Sequence, residues 1–142
     1  VRHNFIQSTD NAISLFEAML QGVLNITESS YGFMAEVINN NSFPEMHIRA
    51  IIDNNWDETA VAAIRKQIEE GLIFNDPNAL YAYVLKNNSH IIINDVPFHP
   101  DRFNQLEVPH TQLKRFMGIP VNTVEGNLIG IIGVANKESE YV

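Results

Sequence analysis

Two hydrophobic segments near the end of the chain are interrupted by glycine, and they limit its fold more than any other feature. They are "FMGIPV" (116–121) and "GNLIGIIGVANK" (126–137). Since a short polar turn joins them, they predict an antiparallel hairpin with strands over 113–121 and 127–135. Glycine inside a strand lets a helix or a ligand approach the backbone closely. Three glycines lie inside the predicted strands: Gly118, Gly130 and Gly133.

The first predicted helix runs from about Asp10 to Ile26, with Ser8 and Asp10 as capping candidates. Its apolar residues recur at spacings of three and four, which gives a wide apolar stripe. The stripe contains Ile13, Phe16, Met19, Leu20, Val23 and Leu24. A stripe of this width predicts packing on a broad surface.

Four further elements follow the first helix. The segments 31–38 and 45–52 predict a β-hairpin with a loose polar loop. A second helix is predicted from about Asp57 to Glu70, because Val61, Ile64 and Ile68 share a face and Gly71 can end it. The third predicted helix has Asp76 as its cap and Pro77 in its first turn. One face of that helix is expected to carry Leu80, Tyr83, Val84 and Asn87.

A short strand at 90–95 and a long, proline-rich loop over 96–111 complete the predicted elements. The strands come in runs interrupted by helices, without regular βαβ alternation, which favours an α+β domain with an antiparallel sheet. We expect the first helix on one face of the sheet and the other two on the opposite face. A cavity is predicted between the sheet, the third helix and the loop.

Composition excludes several classes of function. The chain of 142 residues has a formal net charge of −8, which disfavours nucleic acid and anionic membrane surfaces as partners. It has no cysteine, which excludes disulfides, thiolate metal sites and thiol nucleophiles. Its longest apolar run is too short to span a bilayer. These features predict a cytoplasmic single domain without direct membrane contact. The start at Val1 rather than methionine and the end at "ESEYV" predict a piece cut from a longer polypeptide.

Three blocks of the sequence resemble a GAF domain of the type found in bacterial sensor histidine kinases and diguanylate cyclases. They are "SLFEAMLQGVLNITESSYGFMAEV", "GLIFNDPNALYAYVLKNNSHIIINDV" and "FMGIPVNTVEGNLIGIIGVANK". The resemblance covers nearly the whole chain, 1–142, and implies the profilin-like GAF fold, a central antiparallel sheet with helices on both faces. It also implies a regulatory module that binds a small molecule or relays a signal to an attached output domain. Such modules are often homodimers through their terminal helices, and this chain ends before the usual C-terminal helix.

The ligand classes of GAF domains can be compared with these residues. Covalent bilin attachment and methionine sulfoxide reduction on this fold both need cysteine, so both are excluded, and the cofactor is unknown. Cyclic-nucleotide-binding members carry an Asn-Lys pair that Asn136 and Lys137 match, but "ESEYV" departs from the rest of that motif. The simpler interpretation is that Asn136 is a turn residue and Lys137 a solvated charge.

The ligand-binding candidates surround the predicted cavity. Leu80 and Val84 are expected to form an apolar wall opposite the "FMGIPV" strand, while loop residues supply polar groups. The full set is Trp56, Phe74, Leu80, Tyr83, Val84, Asp95, His99, His110, Phe116 and Gly118. With Asp101 and Glu107, the loop residues could ligate a divalent metal, and a histidine could ligate haem, but no metal motif is matched. A solvated acidic loop is the preferred interpretation, and no metal site is assigned.

Three classes of function remain after this comparison. An enzyme is disfavoured, because no nucleophile elbow, Walker A loop or His-Glu-x-x-His helix is present and no catalytic residue is assigned. A sensor of an unidentified small molecule is preferred, linked to an output domain of the parent protein. A ligandless module for dimerisation or relay is the alternative. In either case we expect a homodimer formed through the first helix.

Overall fold

The computed structural model describes residues 2–39, 43–75, 77, 79–96 and 112–142, and for residues 2–11 the backbone alone. Three helices and six strands lie within these ranges. In chain order they are α1 (Arg2–Thr27), β1 (Tyr31–Ile38), β2 (Glu45–Asp53), α2 (Glu58–Glu70), β3 (Ile73–Phe74), α3 (Tyr81–Asn87), β4 (Ile91–Ile93), β5 (Phe116–Asn122) and β6 (Leu128–Ala135).

The six strands form one antiparallel sheet in the order β3-β2-β1-β6-β5-β4. The predicted hairpin of β5 and β6 is confirmed, with Gly118 opposite Gly133. β6 also pairs with β1, where Tyr31 lies opposite Ala135. The first and last long strands are therefore neighbours in the centre of the sheet, which brings the start of β1 beside the end of β6.

β2 contains a bulge where it pairs with β1. Met34 lies opposite Ala50 and Ala35 lies opposite Ile48, so Arg49 is an extra residue between them. On the side of Arg49 that precedes the bulge, Met46 and Ile48 face the core shared with α2 and α3. Beyond the bulge, Ala50 instead faces α1. A one-residue insertion therefore reverses which alternate residues point to each face.

Helices cover both faces of the sheet, as the sequence predicts. On one face, α1 buries Leu20 and Leu24 completely against the strands. On the other face, Ile64 and Ile68 of α2 join the largest apolar cluster together with residues of α3. Burying apolar side chains on both faces is the main stabilising contribution in such a domain.

The predicted ends of α2 are confirmed by their capping contacts. Asp57 precedes the helix, and its Oδ1 accepts a hydrogen bond of 2.9 Å from the backbone N–H of Ala60. Gly71 follows the helix with φ at 103° and donates from its backbone N–H to Ile68 O at 3.1 Å. Asp57 satisfies a free helix donor, and Gly71 adopts a conformation that disfavours residues with a Cβ.

Two other predicted boundaries are wrong. α1 begins at Arg2 rather than near Asp10, so Ser8 and Asp10 lie inside the helix rather than at its start. α3 begins at Tyr81 rather than at Pro77, which lies in a preceding turn. The backbone N–H of Ala82 bonds to Ala79 O at 3.0 Å, so a tight three-residue turn leads into the helix. Asp76, the predicted cap, lies outside the described residues.

β3 was not predicted from the sequence. It consists of two residues, which pair with Met46 and His47 of β2 at the edge of the sheet. Among the helices that the structure describes, none has the length and apolar character needed to cross a membrane.

Candidate functional site

The predicted ligand wall between α3 and β5 is closely packed. Leu80, Val84 and Phe116 are all buried in the main apolar cluster. A Cβ added at Gly118 would lie 2.9 Å from Val84 Cγ2 and 3.1 Å from Phe116 Cε2. Gly118 therefore lets the side chain of Val84 from α3 pack directly against the sheet. The close approach predicted for this position is made by a helix residue.

Aromatic rings continue this packing towards β3. The ring of Phe74 stacks on Tyr81 with 5.8 Å between centroids and meets Phe33 edge-on at 6.3 Å. Phe116 stacks on the other side of Phe33 at 6.4 Å. Phe74 and Phe116 are thus joined through one ring, and both contribute to the core.

The remaining candidates lie apart from this wall. The predicted face of α3 is partly wrong, because Tyr83 is 45% exposed and Asn87 is exposed, whereas Leu80 and Val84 are buried as expected. The helix also buries Tyr81, Ala82 and Leu85. Asp95 is exposed at the start of the predicted loop. His99 and His110 lie outside the described residues. Within the ranges described, no group of three or more His, Asp or Glu side chains is placed to hold a metal ion.

Trp56 is the predicted residue that lines an open cavity. It follows β2, is half-buried, and meets the ring of Tyr31 edge-on with 6.4 Å between centroids. Its backbone N–H donates to Asp53 O at 3.0 Å, which fixes the turn after β2. Trp56 contributes to the walls of two cavities, one at the end of the sheet and one beside α1.

The larger of these two cavities lies where β2 and β6 end and β1 and β5 begin, and we call it the strand-end cavity. It has a volume of about 600 Å³. Antiparallel pairing brings these four strand termini to one edge of the sheet. Its lining residues are Ser30, Asp53, Asn55, Trp56, Gln112, Lys114, Arg115, Asn136, Lys137 and Glu138.

Asn136 organises the β5–β6 side of the strand-end cavity. Its φ of 63° is left-handed, as expected for a turn residue. Its Oδ1 accepts from Lys114 N–H at 2.7 Å, and its Nδ2 donates to Gln112 O at 3.0 Å. Its backbone N–H also donates to Arg115 O at 3.0 Å. The interpretation of Asn136 as a turn residue is confirmed, and this turn positions the basic residues that precede β5.

Three basic residues line the strand-end cavity. Lys114 is exposed, whereas Arg115 and Lys137 are half-buried. Arg115 Nη1 donates to Lys137 O at 3.1 Å, and its Nε is buried without a hydrogen-bond partner among the described residues. Lys137 is thus more enclosed than the solvated charge predicted from the sequence.

The acidic side of the strand-end cavity is formed by Asp53. Its Oδ1 accepts from Asn55 N–H at 2.9 Å. Asp53 lies opposite Tyr31 across β1 and β2. Burial, and to a smaller extent the negative charge of Asp53, raise the pKa of the Tyr31 hydroxyl. The phenol therefore stays neutral at physiological pH.

A second cavity, of about 420 Å³, lies between α1, β2 and α2. Its polar wall is a bidentate ion pair in which Arg65 Nη2 and Nε lie 2.6 and 2.9 Å from the two carboxylate oxygens of Glu17. Because its charged groups are already paired, this cavity offers fewer free polar contacts than the strand-end cavity.

The C-terminal segment joins three elements beside the strand-end cavity. The hydroxyl of Tyr141, a buried residue, lies 2.6 Å from Ser29 Oγ at the end of α1. The backbone N–H of Tyr141 donates to Oδ1 of Asn94, after β4, at 2.8 Å. Asn94 Nδ2 donates in return to the backbone carbonyl of Tyr141 at 3.2 Å. Its hydroxyl accepts from the N–H of Lys137 at 3.3 Å. We call this set of contacts the Tyr141 junction.

The basic side of the strand-end cavity was missed from the sequence. A usable signal was present, because "KR" directly precedes β5 and "NK" directly follows β6. Antiparallel pairing of these strands brings both dipeptides to one end of the sheet. In a chain with only 9 basic residues, that concentration of charge is informative.

The GAF domain family model matches residues 10–142, and the chain belongs to this family. The six-stranded antiparallel sheet with helices on both faces is therefore a GAF fold, as the resemblance implied. GAF domains are generally regulatory or sensory. No curated protein sequence matches the chain.

Solved structures share this fold at low sequence identity. The GAF domain of a phosphoenolpyruvate-protein phosphotransferase from Coxiella burnetii is 16% identical, with a TM-score of 0.69 over 99% of this chain and 78% of that one. A type II free methionine-R-sulfoxide reductase from Thermoplasma acidophilum is 15% identical, with a TM-score of 0.60 over 91% and 77% of the chains. A NreA protein from Staphylococcus aureus, mutated in its nitrate binding site, is 12% identical, with a TM-score of 0.58 over 87% and 84%.

Proposed function

We propose that this GAF domain is the regulatory sensor of a bacterial signal-transduction protein. In this proposal the domain binds a small ligand non-covalently in the strand-end cavity and relays binding to an attached output domain. The observation that carries the proposal is the position of that cavity beside the Tyr141 junction. Its volume of about 600 Å³ suits a small molecule.

Residues shared by the strand-end cavity and the Tyr141 junction support the proposed relay. Lys137 lines the strand-end cavity and also contacts Tyr141 through its backbone N–H. Tyr141 in turn contacts Ser29, directly after α1. A ligand that shifts the turn at Asn136 and Lys137 would therefore alter the path of the chain beyond β6 and its contact with α1. Differential affinity for two positions of this segment is the physical requirement for such a signal.

Two properties support a sensor over an enzyme. The free methionine-R-sulfoxide reductase shares the fold, but this chain has no cysteine to serve as the nucleophile of such a reaction. The NreA protein has a nitrate binding site, so a protein with this fold can bind a small ligand. A histidine kinase or a diguanylate cyclase is our proposal for the parent protein.

The first test is a thermal-shift and calorimetric screen of the domain against metabolites, including nitrate, cyclic nucleotides, haem and divalent metals. A hit should protect the backbone N–H groups of residues 137–142 from hydrogen exchange, because the relay passes through them. The change Tyr141→Phe should keep binding and reduce this protection. If no compound shifts the melting temperature, or if a bound compound leaves 137–142 unchanged, the sensor proposal is wrong.

A ligandless dimerisation module is the second candidate, and an exposed part of α1 favours it. Leu15 is 61% exposed, Met19 51% and Ile26 84%. Their spacings of four and seven residues place them along one side of the helix. Under this hypothesis Met19→Lys should lower the dimer fraction in sedimentation, while Lys66→Gln, at an exposed position of α2, should not. A monomer at high concentration would contradict it.

A further inference from the structure

The basic side chains of the strand-end cavity have no acidic partner within the described ranges. The ion pairs among the described residues use His47, Arg49 and Arg65 instead. The chain has 17 acidic residues against 9 basic ones, so acidic partners are abundant by number. Three cations without an acidic partner among the described residues therefore lie around one cavity.

Arg115 lines the strand-end cavity with one side of its guanidinium fixed. One of its nitrogens is fixed by Lys137 O at 3.1 Å, while its buried Nε has no partner among the residues described. A buried donor left unpaired is costly, and native structures rarely keep one without a reason. The planar guanidinium suits carboxylate and phosphate groups, because it can offer two parallel N–H donors.

The charge of the cavity lining differs from that of the whole chain. Lys114, Arg115 and Lys137 contribute three positive charges, while Asp53 and Glu138 contribute two negative ones, so the lining has a formal charge of +1 against −8 overall. The positive charges lie at the ends of β5 and β6, whereas Asp53 ends β2. Two strand spacings of about 4.8 Å separate β2 from β6, so the strand end at Asp53 is roughly 10 Å from the end of β6, whereas Glu138 directly follows Lys137.

We infer that the strand-end cavity binds a small organic anion. Its carboxylate or phosphate group is held by Lys114, Arg115 and Lys137, and its uncharged remainder lies against Trp56. The inference rests on the proposed sensor function and specifies the chemical class of the ligand. Lys114 and Lys137 supply mobile point charges, while Arg115 sets the orientation of the anionic group.

Trp56 allows this binding to be measured directly. It is the single tryptophan of the chain and lines the cavity, so its fluorescence reports on an occupant. The probes are succinate and glycerol 3-phosphate, each compared with its uncharged counterpart, succinamide or glycerol. We expect saturable changes with at least one anion below roughly 10 mM, weakening as salt is added. Binding of succinate alone or of glycerol 3-phosphate alone identifies the preferred anionic group.

Matched variants locate the site. Arg115→Gln should weaken binding of the successful anion about tenfold or more, because a charged hydrogen bond is lost. Lys114→Gln, at an exposed position with little influence on folding, should weaken it severalfold. Lys66→Gln makes the same charge change on α2, away from the cavity, and should leave the affinity unchanged.

Three results would each overturn the inference. The first is equal binding of an anion and its uncharged counterpart. The second is the same loss of affinity in Lys66→Gln as in Lys114→Gln, and the third is no saturable signal from either anion. If an uncharged metabolite from the broader screen saturates the Trp56 signal, the sensor function stands and the anion inference alone fails. If no compound of any kind binds, both fail.

Discussion

The hydroxyl groups of Ser29 and Tyr141 lie 2.6 Å apart although 112 residues separate them in sequence. Burial is the main cause of a raised pKa at Tyr141, while the bond to Ser29 acts in the opposite direction. The contact joins the end of α1 to the segment that follows β6. Any displacement of that segment must therefore break or stretch a buried hydrogen bond.

The change Tyr141→Phe tests this bond. It removes the contacts of the hydroxyl with Ser29 and with Lys137 N–H while keeping the ring, so we expect the free energy of unfolding to fall by about 1 kcal/mol. Denaturant unfolding measures the change. The control is Tyr83→Phe, since that side chain is 45% exposed and should have little effect. Equal losses for the two variants would contradict the assignment.

Gly118→Ala tests the contact between α3 and β5. The new Cβ would lie 2.9 Å from Val84 Cγ2, and Val84 is fully buried, so we expect about 1 to 3 kcal/mol of destabilisation. Adding Val84→Ala should recover part of that loss in a double-mutant cycle, because it removes the clashing atom.

Gly22→Ala provides the matched control for this substitution. A Cβ added at Gly22 meets nothing within 4 Å, and the position is inside α1, so we expect stabilisation of about 0.5 to 1 kcal/mol. Thermal unfolding of both variants separates them. Similar effects at Gly22 and Gly118 would show that the contact with Val84 is not what requires glycine.

The turn at Asn136 gives a prediction in which glycine is better than alanine. Asn136→Ala loses two side-chain hydrogen bonds and keeps a Cβ at a φ of 63°, whereas Asn136→Gly loses the bonds but tolerates that φ. We expect wild type to be most stable, followed by glycine, with alanine about 1 kcal/mol lower still. Chemical denaturation gives the order. Alanine at or above glycine would disprove the role of the left-handed turn.

Alkaline pH should destabilise the domain through Tyr31. Its pKa is raised by burial and by Asp53 in the folded state. Below the ordinary tyrosine pKa of about 10, both states keep the proton and this contribution to stability is complete. Above it, the unfolded chain loses the proton first, so stability falls as pH rises towards the folded pKa, by roughly 1.4 kcal/mol for each pH unit.

The variant Tyr31→Phe isolates this effect. Between pH 9 and 11 the wild type should lose about 1 kcal/mol more stability than the variant, whatever their difference at pH 9. Urea unfolding at the two pH values measures both losses. Parallel losses in wild type and variant would show that Tyr31 does not titrate differently in the two states.

The sheet and its two helical faces could be predicted because their patterns are long. β1 and the β5–β6 hairpin are largely apolar runs of seven or eight residues bounded by polar turns, which indicates the strands. α3 has only seven residues, too few to distinguish a face containing Tyr83 from one containing Tyr81. β3 has two residues, and its pairing with β2 is a tertiary contact that no local pattern shows.

The site was harder to predict because its residues are far apart in the chain. Glycine in a strand indicates close approach but does not say whether a helix or a ligand approaches, and at Gly118 the helix residue Val84 does. The strand-end cavity depends on four strand termini meeting at one edge, which requires the strand order. Of the residues that line this cavity, Trp56 was among the ligand-binding candidates, from its isolated position among polar neighbours. The ligand roles of all the candidates, Trp56 included, stay predictions.

The bulge at Arg49 means that β2 is one residue longer than its core requires. Without Arg49, Met46, Ile48 and Ile51 would alternate evenly on the side of α2 and α3, while Ala50 kept its place towards α1. The Arg49–Glu36 pair is largely exposed, so its loss should cost no more than about 1 kcal/mol. Deleting Arg49 should therefore leave the hydrophobic pattern of β2 intact. The bulge thus marks a position inside a sheet where the chain could gain or lose one residue without exchanging the two faces of the strand. A deletion variant without a cooperative thermal transition would show that the twist of the bulge is itself indispensable.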